Sequence, residues 1–87
     1  MKKKYKVVIE NDSEKFKTLM LEPWGEDYGM MSKDVFEIIE EEEIEDIYFH
    51  IQFGEKYITV YVEGTSNSYP RIYQNGKELD CGYNRID

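Results

Sequence analysis

The stretch from Ile47 to Val62, IYFHIQFGEKYITVYV, alternates apolar and polar residues on both sides of Gly54-Glu55. A period of two marks a strand with one buried face, and glycine near the midpoint marks a tight turn. A chain holding two such runs back to back has to build a sheet. With Gly54-Glu55 as the loop of a type II′ hairpin, Phe53 faces Lys56, Ile51 faces Ile58, Phe49 faces Val60 and Ile47 faces Val62. The other face then carries Gln52 with Tyr57, His50 with Thr59 and Tyr48 with Tyr61. A slip of one residue sets Ile58 opposite Gln52 and turns half of the apolar set outward.

The rest of the chain reads in the same terms. Lys4–Glu10 is a strand with Tyr5, Val7 and Ile9 on one face. Asn11-Asp12-Ser13 is a turn cluster, because all three side chains can bond nearby backbone. Phe16–Glu22 is a second strand, apolar on both faces and therefore an inner one, and Pro23 closes it. Trp24–Gly29 is expected to be an ordered loop or wide turn with the indole folded inward. Ser32–Asp46 has two readings. One is an amphipathic helix capped by Ser32; the other is a strand at Val35–Glu40 followed by an acidic turn. Four consecutive glutamates repel each other on any helix, so the strand is preferred and a short helix within 33–46 is the alternative. Gly64–Ser68 is a loop, and Tyr69-Pro70 is an aromatic–proline pair, which raises the chance of a cis bond while trans remains the default. Arg71–Asp80 is a second hairpin on an Asn75-Gly76 type I′ turn, with Ile72 opposite Leu79 and Arg71 opposite Asp80. The tail from Cys81 adds a last short edge. Six to seven short strands in almost wholly antiparallel order predict an all-β domain over 1–87, a small β-sandwich or open barrel.

Charge narrows the partners. Lys and Arg number 11 against 19 Asp and Glu, a net charge of −8. Residues 22–63 hold thirteen acids against Lys33 and Lys56, a local net of −11. Such a chain is not drawn to phosphate backbones or anionic membranes, which bind through cationic neutralisation. The one cysteine, Cys81, cannot form an internal disulfide or a zinc knuckle. MKKKYKVVIE lacks the apolar run of a signal peptide, and a reducing cytoplasm is the expected home. For that reason the glycosylation pattern at Asn11-Asp12-Ser13 is discounted.

The run Leu21–Tyr28, LEPWGEDY, resembles a group of small uncharacterised bacterial proteins with an EPWGE-Tyr motif between two strands. Their later Asp/Asn-Gly hairpin has its counterpart in Asn75-Gly76-Lys77-Glu78. The resemblance implies a strand at Val35–Glu40 and a bacterial or phage origin, and it carries no activity. This chain departs from the group at Ser32-Lys33-Asp34, where the group has Pro-Gly.

The candidate functional residues are those of a binding surface. The carboxylates Glu40, Glu41, Glu42, Glu43 and Asp46 make an acidic patch that can steer a basic partner. Tyr48, Tyr57 and Tyr61 share the polar face of the central hairpin, an amphipathic aromatic surface of the kind enriched at interfaces. Trp24 with Glu26 and Asp27 reads as an aromatic anchor ringed by acids. Glu26 and Asp27 could act as an acid/base pair only in a bent loop, since neighbours in a strand point to opposite faces. His50 has no companions for a metal site. No catalytic residue, metal or cofactor is assigned. The expected function is a non-enzymatic acidic inhibitor of a basic protein, a toxin or nucleic-acid-binding effector, of toxin-immunity or phage anti-defence type. Two other readings remain: a small-ligand or metal carrier with a pocket near Trp24, and a structural module that oligomerises through its edge strands.

Overall fold

A computed structural model of the chain describes residues 3–42, 47–63 and 70–85. Eight strands follow one another: β1 (Lys3–Glu10), β2 (Lys17–Glu22), β3 (Glu26–Met30), β4 (Val35–Glu42), β5 (Tyr48–Phe53), β6 (Tyr57–Glu63), β7 (Arg71–Gln74) and β8 (Lys77–Glu78). They form two packed four-stranded sheets, β1-β4-β7-β8 (sheet I) and β3-β2-β6-β5 (sheet II). The molecule is an all-β sandwich, with no helix among the described residues and so no helix able to cross a membrane.

Alternation explains the core. Ile9, Phe36, Ile38 and Ile72 point inward from sheet I. Leu19, Leu21, Tyr28, Met30, Ile58 and Val60 point inward from sheet II. Phe49 and Ile51 of β5 pack at the margin of this cluster.

Several expectations are corrected. Glu26–Met30 is a strand, so the span after Pro23 is a tight hairpin turn at Pro23–Gly25 rather than a loop through Gly29. Its brevity and its acids hid it: EDYGM has two apolar residues on one face and little else to mark it. The Glu22–Pro23 bond is cis; the cis candidate Tyr69-Pro70 begins outside the described residues. The preferred strand at Val35–Glu40 is present and runs two residues further, to Glu42, and the alternative helix is excluded as far as Glu42. The described residues hold eight strands rather than six to seven. One sheet neighbour pair, β2 with β6, is parallel, with Leu19 beside Ile58 and Leu21 beside Val60.

The central hairpin keeps its faces but not its register. Phe53 pairs with Ile58, Ile51 with Val60 and Phe49 with Val62. The loop is Glu55-Lys56, one residue later than expected, closed by a bond from the Gly54 N–H to the Tyr57 carbonyl at 2.8 Å. Moving a hairpin centre by one residue shifts every pair by two, and an even shift leaves each side chain on its own face. Neither Gly54 nor Glu55, now the first central residue, has a positive φ, so the turn is not type II′. The role of Gly54 is close approach, since a Cβ there would sit 3.0 Å from the Tyr57 oxygen.

The second hairpin is as expected, with Asn75 and Gly76 at φ of 52° and 79°, the left-handed pair of a type I′ turn. The Leu79 N–H donates to the Ile72 carbonyl at 2.8 Å. Arg71 pairs with Glu78 at 3.6 Å rather than with Asp80. At Ser32-Lys33-Asp34, Lys33 itself takes a φ of 71°, a conformation that glycine adopts more readily.

The tail forms a turn at 81–84 that covers the free edge of β3. The Gly29 N–H donates to the Tyr83 carbonyl, and the Gly82 N–H to the Asp27 carbonyl, both at 2.7 Å.

Candidate functional site

The outer face of sheet II is built from the residues that alternate with the core. Rows across the strands follow from the register. Gly29, Thr18 and Tyr57 form one row; Asp27, Met20, Thr59 and Gln52 form the next. Glu22, Tyr61 and His50 come third, and Glu63 with Tyr48 fourth. No element of sheet I lies over this face, because the sandwich is two sheets deep. Tyr48 is 59% exposed and Tyr57 53%, while Tyr61 is half-buried.

Local contacts fix part of this surface. The Tyr61 hydroxyl donates to Gln52 Oε1 at 3.5 Å. The His50 and Tyr61 rings stand 5.4 Å apart at a tilt of 38°. His50 Nδ1 lies 3.8 Å from a Glu63 carboxylate oxygen. Shallow hollows flank the tyrosines. One, of about 340 Å³, runs between Thr18, Met20, Gly25 and Tyr57. A second, of about 300 Å³, lies between Glu22, Pro23, Tyr61 and Glu63.

Asp27 belongs to this face but is already engaged. Its carboxylate accepts from Arg85 Nε at 2.7 Å and Nη2 at 2.6 Å. The Arg85 guanidinium, bonding to it, holds the carboxyl below its ordinary value, against an opposing push from burial. Cys81, exposed in the same turn, offers its thiol to Asp27 at 3.7 Å. Glu26 points the other way. It accepts from the Tyr28 hydroxyl at 2.9 Å, and burial followed by that bond pushes the Tyr28 phenol well above its usual value. Glu26 and Asp27 therefore lie on opposite faces of β3, and the shared acid/base site is ruled out by the strand.

Trp24 stands at the turn between β2 and β3 and is 37% exposed, so the indole does not plug the sandwich. The acidic patch is taken apart by the fold. Glu40 is only 1% exposed, on the inner face of β4 opposite Tyr5. It sits in phase with Phe36 and Ile38, and alternation sends it inward with them. It cannot be a surface contact. Glu41 is exposed on the outer face of sheet I, with Lys4 as its cross-strand neighbour. Glu42 ends β4 opposite Lys3. Glu43 and Asp46 lie outside the described residues.

The structure thus brings together Tyr48, Tyr57, Tyr61 and Asp27 and separates them from Glu41 by the thickness of the sandwich. The sequence reading missed Thr18, Met20, Glu22 and Glu63 as members of this face. Their alternation with Leu19 and Leu21 was visible, but the parallel union of β2 with β6 joins segments about forty residues apart and has no local signal.

A cleft of about 590 Å³ lies elsewhere, between the second hairpin and the tail, and is lined by Gln74, Lys77, Glu78, Leu79, Asp80 and Tyr83. It contains none of the candidate binding residues named from the sequence. Comparison with protein-family models, with curated proteins and with solved structures finds no match to this chain.

Proposed function

We propose that this protein is a non-enzymatic binding protein that meets a basic protein partner through the outer face of sheet II. The observation that carries the reading is the uncovered set of Tyr48, Tyr57 and Tyr61, arranged around Met20, Thr59 and Gln52. Tyrosine offers a rigid ring of large area with one polar tip, which suits it to a contact surface. Hollows beside Tyr57 and Tyr61 give side chains of a partner somewhere to seat. Glu22 and Glu63 border the ring of Tyr61. A guanidinium laid on that ring would meet both its π-face and a carboxylate. The net charge of −8 adds steering toward a cationic surface.

Within this reading the protein serves as an inhibitor that covers a basic site of a toxin or a nucleic-acid-binding effector in a bacterial cytoplasm. The acidic run of β4 takes a smaller share than the chain order suggests, because Glu40 is buried and Glu41 faces away.

The test is affinity capture from the native host followed by titration of the captured protein with Tyr57→Ala, Tyr61→Ala and the double variant. A partner of high pI is expected, with affinity lowered at least about tenfold in the double variant. Glu41→Gln should leave it unchanged. A partner that binds equally well without both tyrosines would sink the proposal.

A further inference from the structure

A two-sheet sandwich has four edges, and three of them are blunted in this molecule. β1 carries Lys4, Lys6 and Glu10 on its solvent face, the charges that discourage strand addition. β8 is two residues long. The edge of β3 is bonded by the tail through Gly29 and Gly82. The fourth edge, β5, is Tyr48–Phe53 (YFHIQF), six residues with no Lys, Arg, Asp, Glu or Pro. Among the described residues nothing pairs with its outer side.

The hydrogen-bond phase of that edge follows from the hairpin. Gly54 bonds to Tyr57 across the β5–β6 ladder. In an antiparallel ladder, bonded and non-bonded pairs alternate. Gln52 and His50 therefore turn their backbone groups toward β6, and Phe53, Ile51 and Phe49 turn theirs to solvent.

We infer that β5 pairs with β5 of a second copy of this chain, antiparallel about a two-fold axis at Ile51. This register satisfies three conditions together. It sets Ile51 opposite Ile51 and Phe49 opposite Phe53 of the second copy, which are the residues whose N–H and C=O groups face outward. It keeps inward-facing side chains against inward-facing ones, as any even register must. It also brings Phe53, 67% exposed at the end of the sandwich, beside Phe49 of the other copy. Charge restricts where two copies can meet. Two copies at −8 each repel, and β5 is the edge strand where they can meet without juxtaposing carboxylates. The paired sheets become one eight-stranded sheet with the tyrosine face doubled across it. An isologous contact of this kind closes as a dimer and does not propagate.

A six-residue strand pair buries less than the roughly 1,200 Å² of a stable complex, so the dimer is expected to be weak. Sedimentation from about 5 µM to about 1 mM spans the range in which so small an interface associates. Wild type is expected to pass from monomer to dimer over that range. Phe53→Glu, at an exposed position, is expected to weaken dimerisation at least about tenfold by setting a carboxylate against Phe49, with an unchanged far-UV spectrum. In a Cys81→Ser background, Ile51→Cys places two thiols across the axis at a Cα spacing near 5.5 Å, within disulfide range. Oxidised glutathione, reduced to two thiols in the exchange, should then give a covalent dimer. A protein monomeric throughout, or a dimer indifferent to Phe53→Glu, overturns the inference. Crosslinking through His50→Cys instead of Ile51→Cys overturns the register. Pairing of β5 with a strand of some other protein while the chain stays monomeric overturns the choice of a second copy.

Discussion

Asn11 does more than shape its own turn. It is 1% exposed, and its Nδ2 donates to the carbonyls of Lys15 at 2.8 Å, Met30 at 3.1 Å and Met31 at 3.2 Å. Its Oδ1 accepts from the Ser13 N–H at 3.2 Å and the Ser13 hydroxyl at 2.7 Å. Its backbone ties to the β3–β4 turn through Asp34 and Lys33. The local half of this pattern was legible, because Asn-Asp-Ser is turn chemistry at a glance. The bonds to Met30 and Met31 were not, since they depend on where a turn nineteen residues later comes to rest. An amide turned inward on three carbonyls has no room for a glycan. Asn11→Asp keeps the shape but replaces a donor with an acceptor, facing three carbonyls with a carboxylate in a dry site. The expected loss is about 3 kcal/mol in urea unfolding, against about 2 kcal/mol for Asn11→Ala. Equal stability of Asn11→Asp and wild type at neutral pH would refute this role.

At the scale of elements, the tail works as a clasp on β3. Its contacts include the two backbone bonds at Gly29 and Gly82 and the Arg85 fork on Asp27. Gly29 is required for the fit, since a Cβ there would fall 2.2 Å from the Asn84 carbonyl oxygen and 2.7 Å from the Phe16 ring. The clasp should be sensitive to acid, and the sign follows from Asp27. Its folded pKa is depressed by Arg85, so the contact contributes fully above the ordinary value of 3.8. That contribution is lost as pH falls through the lower folded value. In two-dimensional NMR the Gly29 and Gly82 amides are expected to move toward unbonded positions below pH 3.8, while core amides such as Leu21 hold. Arg85→Gln should shift the same two amides at neutral pH. If both amides stay put in Arg85→Gln, the fork does not hold the tail. The clasp also marks where sequence reading stopped short. Alternation told which way each side chain points, but β3 is too short and polar to announce itself, and the tail has no pattern of its own.

Across the whole molecule, the largest change from sequence to structure is in the charge. Along the chain, residues 22–63 form one acidic block with a net of −11. In space, the antiparallel union of β1 with β4 lays the N-terminal lysines along it, with Lys3 opposite Glu42 and Lys4 opposite Glu41, and the Lys6 ammonium meets Glu37 at 2.5 Å. Strand faces were readable because they obey a local period, whereas strand neighbours are set by the global packing of both sheets. The tyrosines share one face by that period, and the same period sends Glu40 and Glu41 to opposite faces of β4. The pairing carries a consequence for stability. Exposed ion pairs are individually worth about 0.2–1 kcal/mol, and like charges opposite each other across strands cost similar amounts. Lys4→Glu with Lys6→Glu replaces attraction by repulsion at both places and deepens the net charge of −8. The double variant is therefore expected to lose about 1–2 kcal/mol in urea unfolding at low salt. Because these groups are exposed, the loss should shrink by half or more in about 1 M sodium chloride, where the screening length falls to about 3 Å. A loss of the same size at both salt concentrations would mean that the lysines act through packing of their stems along Val8 and Ile39, and that the β1–β4 charges are not coupled.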